Sequence, residues 1–485
     1  MARLIDADYS QAYLLPPSLE DWVGSRHPAR FIREFVDALD LDGLGISWAT
    51  GEGGRPAYAR GLLLKVWLYG YFKGIRSTRK LEQACRDDIG FLWLTGVTRP
   101  DHNTLSGFFR ANRVGLRGLF RQTVAVAARA DLVGFVLQAV DGTKIAASVA
   151  NRTGWHRGKL EDLLKKLDER IAALELALEQ SDAKEEPSDE LPGALAERKV
   201  LRDRVRSALA ELETAGETHV HPADRDARVM KYADRNRNTF GYNAQAVADD
   251  RAGLVVACEV VQDRNDERQL NAMMDCVEAQ AGRTAERTVA DAGYATGREL
   301  ARAERDGRDV VVALPTGMRP NPGAPFHASN FTYDPGRDCC ICPKGGILTY
   351  RHTRVQRSRG YVLRLYRCTA KDCPYRAVCA KGKRERAIEL SQYYEAVVRQ
   401  RRKQQGVQVR GDLKKRSYLI EPVFAFIKQH LGFRRFTMRG LACVRAQWAL
   451  LCATYNLHKL WRRWNEGLFR KGPTSVAFSA SEANS

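Results

Sequence analysis

The sequence predicts an α/β protein with a mixed sheet, preceded by an all-helical domain and interrupted by a helical hairpin and a small cysteine-rich insertion. Three observations predict it. Apolar residues recur at helical spacing through the first 135 or so residues; from Gly241 the period changes to two; and beyond that point short apolar runs alternate with helical ones. With 485 residues there is ample chain for two or three domains.

The elements follow in order. Ala29–Leu41 carries Phe31, Phe35, Val36 and Leu39 on one helical face. Tyr58–Lys73 is apolar nearly all round, which predicts a buried central helix. Thr78–Cys85, Ile89–Leu94 and Asp101–Ala111 read as short helices, the last capped by Asp101 after Pro100. Tight turns between them, with Arg76, Arg79, Lys80, Arg86 and Arg99 nearby, suit a helix-turn-helix-like DNA reader or, more plainly, a small bundle. Val114–Leu132 is a further helix. It leads into Leu137–Ala146, an apolar strand with a single carboxylate, Asp141, set into it.

Lys159–Glu213 changes character. Leu160, Leu164, Leu167, Ile171, Leu174 and Leu178 form a heptad seam. After a polar break with Pro187 and Pro192, the spacing returns at Leu201, Val205, Ala208 and Leu212, which predicts an antiparallel hairpin serving as a packing arm or a dimer contact. Tyr242–Ala248 and Leu254–Gln262 read as a β-hairpin turning at residues 249–253. Arg268–Ala281 is helical, Thr288–Ala292 a strand holding Asp291, Gly297–Asp306 a helix and Asp309–Leu314 a strand. Tyr393–Gln405 is a basic helix. Pro422 fits only near a helix start, which puts Glu421 at the N-terminal end, with Lys428 seven residues on along the same face. Leu441–Trp464 is a long amphipathic helix, and Gly472–Ser485 is small and polar, composed as a disordered tail.

Charge narrows the partners. The formal net charge is +20, and 21 Lys/Arg against 5 Asp/Glu lie between Pro343 and Arg416. Such a concentration predicts an acidic partner, nucleic acid first. No signal-peptide pattern and no membrane-length apolar run is visible, which predicts a cytoplasmic protein. Cys339, Cys340, Cys342, Cys368, Cys373 and Cys379 fall in one 41-residue window. Four thiolates, Cys342, Cys368, Cys373 and Cys379, would suit a tetrahedral structural Zn²⁺; the alternative is reduced cysteines in a small core. His219 and His221 lack a matching second pair of ligands and are not taken as a metal site.

A carboxylate in an apolar strand is costly unless it is paired or binds a cation. The pattern of Val140-Asp141-Gly142 returns in Ala290-Asp291-Ala292-Gly293, and Glu421 is a third acid on a separate element. With RPDHNTLSGFFR, VDGTKIAA, GYNAQAVAD, VADAGY, the cysteine insertion, IEPVFAFIK, GFRRFTMRG and Asn456-Leu457 in this order, the chain resembles the DDE transposases of bacterial insertion sequences. The resemblance covers most of the chain. It implies a ribonuclease-H-like mixed sheet with helices on both faces, and a catalytic triad of Asp141, Asp291 and Glu421. It further implies a requirement for Mg²⁺ or Mn²⁺, double-stranded DNA as substrate and target, a homodimer joining two element ends, and a bacterial, nucleoid-associated location.

The domains expected are a helical DNA-binding domain over 1–135, a catalytic core over 136–158, 216–319 and 391–470, insertions at 159–215 and 320–390, and a tail at 471–485. In the expected reaction water cuts DNA at the element end and the freed 3′-hydroxyl attacks the target, with Asp141 bridging two ions and Asp291 and Glu421 holding one each. Lys428 matches the family lysine that contacts DNA. Arg416 is the nearest candidate for an expected arginine upstream of the glutamate, although that arginine is more commonly at the place of Ser417. Lys144 and Tyr294 are expected near the scissile strand, and Arg434 and Arg435 complete the DNA-contact set. Asn243 and Gln245 share one strand face, where they could support the site or bond within the sheet, and the sheet is the favoured reading; Asp224 receives no reaction role. The alternatives to a transposase are a nuclease that only hydrolyses and an idle DNA-binding regulator.

Overall fold

A computed structural model describes residues 18–48, 56–150, 154–183, 190–232, 237–357, 360–370, 372–381 and 385–467. The expected tail lies outside these residues. The chain divides into two compact units. One comprises Met1–Leu132, Ala425–Phe433 and Arg445–Ser485; the other comprises Val133–Phe424 and Arg434–Val444.

The first unit is helical. It contains α1 (Pro28–Asp37), α2 (Arg60–Phe72), α3 (Thr78–Asp87), α4 (Ile89–Thr95), α5 (His102–Ala111) and α6 (Arg113–Arg129). α2 is the buried centre, with every residue from Val66 to Phe72 inside. Asp88 and Asp101 start α4 and α5 by accepting backbone N–H bonds, and Gly96 ends α4 in the left-handed region at φ 57°. Trp67 fills the middle and donates to the Leu105 carbonyl at 3.1 Å.

In the same unit His458 stacks on Phe72 at 3.6 Å, and its Nε2 meets the Phe72 carbonyl at 3.0 Å. Burial, followed by the charges of His430 and Arg462, pushes its pKa down from 6.5 to about 4, despite the carbonyl bond. The neutral ring is the folded form, so its stabilisation is complete above pH 6.5 and is lost as pH falls toward 4. The loss amounts to about 3 kcal/mol. His458→Phe keeps the stacking and removes the proton site. Between pH 7 and 4 its melting temperature is expected to fall less than the wild type's.

The second unit is built on a sheet. Its strands are β1 (Leu137–Ala146), β4 (Arg228–Tyr232), β5 (Arg237–Asp249), β6 (Val255–Val261), β7 (Arg287–Ala290) and β8 (Val310–Val312). The order is β4-β5-β1-β7-β8, with β6 also on β5. β5 runs antiparallel to β1, β4 and β6; β7 runs parallel to β1 and β8 parallel to β7. Helix α9 (Gln269–Ala281) joins β6 to β7, and α10 (Gly297–Arg305) joins β7 to β8.

Between β1 and β4, the two-stranded pair β2 (Trp155–His156) and β3 (His219–Val220) forms the foot of α7 (Arg157–Ala183) and α8 (Glu190–Ala215). The two helices close over Leu160, Leu167, Val205, Ala208 and Leu212. The cysteine-rich stretch is a five-stranded antiparallel sheet: β9 (Thr332–Asp334), β10 (Cys339–Ile341), β11 (Ile347–Gln356), β12 (Tyr361–Cys368) and β13 (Ala387–Ser391), with α11 (Arg376–Ala380) before β13. Then come α12 (Tyr394–Lys403), α13 (Val407–Ala425), a π-helical turn at Phe426–His430 and α14 (Leu441–Asn465). No helix among the described residues is long and apolar enough to cross a membrane.

Two expectations about local structure are corrected. Glu421 does not open a helix: Pro422 lies inside α13. A proline there removes an i→i−4 bond, and the helix loosens into the π-helical turn directly after. Because Lys428 sits in that turn, the 3.6-residue period invoked to put it on the face of Glu421 does not run unbroken to it. Asp291 is not a strand residue. β7 stops at Ala290, and Asp291 caps the 3-10 turn Ala292–Tyr294.

Candidate active site

The site grows from the register of two parallel strands. Val140 on β1 lies beside Ala290 on β7, the last pair of that ladder, so the next residues along are Asp141 and Asp291. Asp141 Oδ1 accepts the Gly142 N–H at 2.7 Å, and Asp291 Oδ1 accepts the Gly293 N–H at 2.8 Å. Burial first, then the charge of Asp291, raises the Asp141 pKa from 3.8 to about 6, against the pull of Arg416. Two carboxylates placed this way favour a shared cation or a proton over two bare charges.

Arg416 on α13 supplies a positive charge, its Nη1 lying 2.9 Å from Asp141 Oδ2. The helix is held against the sheet by Arg287 on β7, which pairs with Asp412 at 2.8 Å and with Asp309 at 2.7 Å. Arg416, five residues before Glu421, thus contacts Asp141 directly. Arg416→Ala is expected to push the Asp141 pKa above 6, moving the acidic limb of any Asp141-dependent pH–rate profile upward; an unmoved limb would remove this ion pair from the account.

Glu421 is exposed on α13. Among the described residues no group of three or more His, Cys, Asp or Glu side chains is gathered closely enough to hold a metal ion. The structure therefore brings Asp141 and Asp291 together and leaves Glu421 outside a preformed three-acid set.

The same observation does not support the zinc expectation. Cys342, Cys368 and Cys379 pack as partly buried apolar groups against Phe331, Cys340, Leu348, Tyr366, Ile388 and Leu390. The Cys342 sulfur accepts the Lys344 and Gly346 N–H groups at 3.3 and 3.1 Å. Burial, and after it the neighbouring Cys342, Cys368 and Cys373, raises the Cys379 thiol above its usual range, against the pull of Arg386. Cys373 lies just before α11. Three of the four candidate ligands thus pack against a small core, and Cys342, Cys368 and Cys373 all lie near Cys379.

Three residues expected at the DNA, Tyr294, Lys144 and Arg435, have partners within the protein. Tyr294 is fully buried with its hydroxyl donating to Gln245, so no ring face is presented for stacking on a base. Lys144 is partly buried, its Nζ 3.4 Å from Asp266, and burial lowers its pKa. Arg435 Nη1 donates to the Ala147 and Val149 carbonyls at 2.6 and 2.7 Å, fastening its segment to the end of β1. Arg434 beside it is exposed. Asp224 takes the Tyr242 hydroxyl at 2.6 Å and the Gly440 N–H at 3.1 Å, a packing role. His221 meets the Ala150 carbonyl at 3.2 Å, and His219 lies edge-on to His156.

Asp266 was missed. It accepts the amide donors of Asn243 and Gln245, each at 2.7 Å, so these amides do more than bond within the sheet. In the sequence Asp266 sits in DRNDER, which reads as a solvated turn. The available signal was the amide pair itself, polar groups on a strand face that turns out to be fully buried and that needs a partner.

Comparison with known families agrees with the sequence resemblance. Residues 341–461 match a family model described as a transposase DDE domain, and residues 17–111 match one described as a transposase domain (DUF772). The chain is a transposase. Within that class it stands with the DDE transposases of insertion sequences. Asp141 and Asp291 lie outside both matched segments, whereas Arg416 and Glu421 lie inside one. No curated protein and no solved structure matches the chain.

Proposed function

We propose that this transposase cuts and joins DNA at the ends of an insertion sequence by phosphodiester hydrolysis followed by transesterification, in a ribonuclease-H-like core. The observation that carries the reading is the Asp141–Asp291 pair, side by side at the ends of paired parallel strands, with Asp141 raised to about 6. The strand order β6-β5-β1-β7-β8, antiparallel on one side of β1 and parallel on the other, supports the core assignment. In this reading the core spans 136–158, 216–319 and 391–470, with insertions at 159–215 and 320–390 and a DNA-reading helical domain over 1–135, although Ala425–Phe433 and the chain from Arg445 cluster with the helical unit.

The donor set at the pair fits a hard divalent cation: two carboxylates whose mutual repulsion a cation would relieve. Asp141 and Asp291 would hold it, with Glu421 as the third carboxylate, and bound there Mg²⁺ or Mn²⁺ activates the attacking oxygen and stabilises the leaving one. The chain's own groups orient the substrate. Arg416 presents a guanidinium at the site, suited to bidentate contact with a phosphate once DNA draws it from Asp141. Lys428, Arg434 and the basic stretch between Pro343 and Arg416 would follow the backbone. Two such chains would bring two ends together.

Water attack on phosphorus breaks its bond to the 3′-oxygen, which leaves as a hydroxyl at the element end. That hydroxyl then attacks a target phosphodiester and displaces the target's own 3′-oxygen. End-mapping of the cleavage product tests the first step: a 3′-hydroxyl on the element strand is expected, and a 3′-phosphate there would overturn the reading.

A further inference from the structure

Buried amide side chains keep one orientation only when their donors and acceptors are matched. Asn243 and Gln245, on alternate residues of β5, are completely buried. Their donors converge on one oxygen, Asp266 Oδ1, at 2.7 Å each, and Lys144 Nζ from β1 approaches the same atom at 3.4 Å. With Nε2 committed to Asp266, Gln245 turns Oε1 toward the Tyr294 hydroxyl, which donates to it. Tyr294 closes the single turn that Asp291 caps. On the other side, Gly142 follows Asp141, and a Cβ there would stand 2.8 Å from Asp266 Oδ1. Asp266 Oδ2 lies 3.8 Å from the corresponding point on Gly293, and Asp291 Oδ1 lies 3.1 Å from it. One carboxylate thus touches the surroundings of both aspartates.

We propose that Asp266 is the positioning residue of the reaction centre: it orients Gln245 and Tyr294, and through them fixes the Asp291 turn at the separation from Asp141 that a divalent cation requires. The inference rests on the metal-dependent reading above. An anion is needed here because three donors share one oxygen, and charge-assisted bonds are about twice as strong as neutral ones. Asparagine at this position would supply a weaker acceptor and bring an NH₂ group among donors. A purely structural aspartate would tie down its own loop. This one connects β1, β5 and the Asp291 turn, the pieces whose relative placement sets the distance between the two acids.

The test is Mn²⁺ binding to the full-length protein without DNA, followed by the electron paramagnetic resonance signal of free Mn²⁺. The proteins are wild type, Asp141→Asn, Asp266→Asn and Tyr294→Phe, each with its melting temperature. Groups that orient metal ligands typically change affinity by about 10- to 100-fold when removed. Asp266→Asn is expected to bind Mn²⁺ at least about 10-fold more weakly while melting near the wild type, and raised Mn²⁺ should partly restore its DNA cleavage. Tyr294→Phe should weaken binding in the same direction by a smaller factor. Wild-type affinity in Asp266→Asn would overturn the inference; should that variant not fold, wild-type affinity in Tyr294→Phe would do so. If Asp141→Asn also binds Mn²⁺ like the wild type, the metal reading of the site falls as well, which separates that failure from failure of Asp266 alone.

Discussion

Asp141→Asn is expected to abolish DNA cleavage and joining, with a loss of about 10³-fold or more, while DNA affinity stays within a few-fold of the wild type. The substitution preserves shape and removes the charge that pairs with Arg416 and that, in the proposed reaction, would hold a divalent cation. DNA affinity should survive because most of the excess positive charge lies elsewhere, between Pro343 and Arg416. The stability effect has the opposite sign. The pKa of Asp141 is raised to about 6 from 3.8, so in the metal-free protein its charge costs stability above that value, by up to about 3 kcal/mol. This cost disappears as pH falls below 4. Metal-free Asp141→Asn should therefore melt higher than the wild type at pH 8, with the difference shrinking toward pH 4. A variant that is inactive yet more stable is the mark of a site residue, since a core residue would lose both properties. Gel-shift, cleavage and thermal melts on one preparation check all three.

Gly142→Ala is expected to cost about 1–3 kcal/mol of stability and roughly 100-fold in cleavage. A Cβ on Gly142 would stand 2.2 Å from Gln245 Nε2, 2.8 Å from Asp266 Oδ1 and 3.0 Å from Asn243 Oδ1. None of these is the loose end of a flexible side chain. All three atoms belong to one bonded, largely buried cluster, so the added methyl pushes the strand bearing Asp141 or breaks the Asp266 contacts. Either displacement moves Asp141 relative to Asp291. Wild-type cleavage in Gly142→Ala would mean that this cluster does not set the site.

The sequence disclosed Asp141 and Asp291 because both carry the same local signature, an apolar run ending in Asp followed by small residues. The parallel ladder confirms their adjacency through Val140 and Ala290. The heptad seam of α7 and α8 was legible for a similar reason: leucines at fixed spacing have few other uses. Tertiary effects hid the rest. Pro422 suggests a helix start by local rules, yet α13 runs through it and absorbs the irregularity in a π-helical turn. The cysteine spacing suggested ligands but did not show that Phe331, Leu348, Tyr366 and Ile388, spread over nearly 60 residues of sequence, form a core against which Cys342, Cys368 and Cys379 pack. Asp266 carries no local sign at all, because its importance comes from two amides more than twenty residues upstream that fold onto it.

The most direct measurement of the central claim is strand transfer: purified wild type and Asp141→Asn, each with Mg²⁺ or with a chelator, incubated with a labelled duplex carrying the element end and an unlabelled plasmid. Label joined to plasmid is expected only for the wild type with Mg²⁺, with free 3′-hydroxyl ends as its precursor. Cleavage without any joining would reduce the protein to a nuclease, and joining that persists in Asp141→Asn or in the chelator would contradict the account outright.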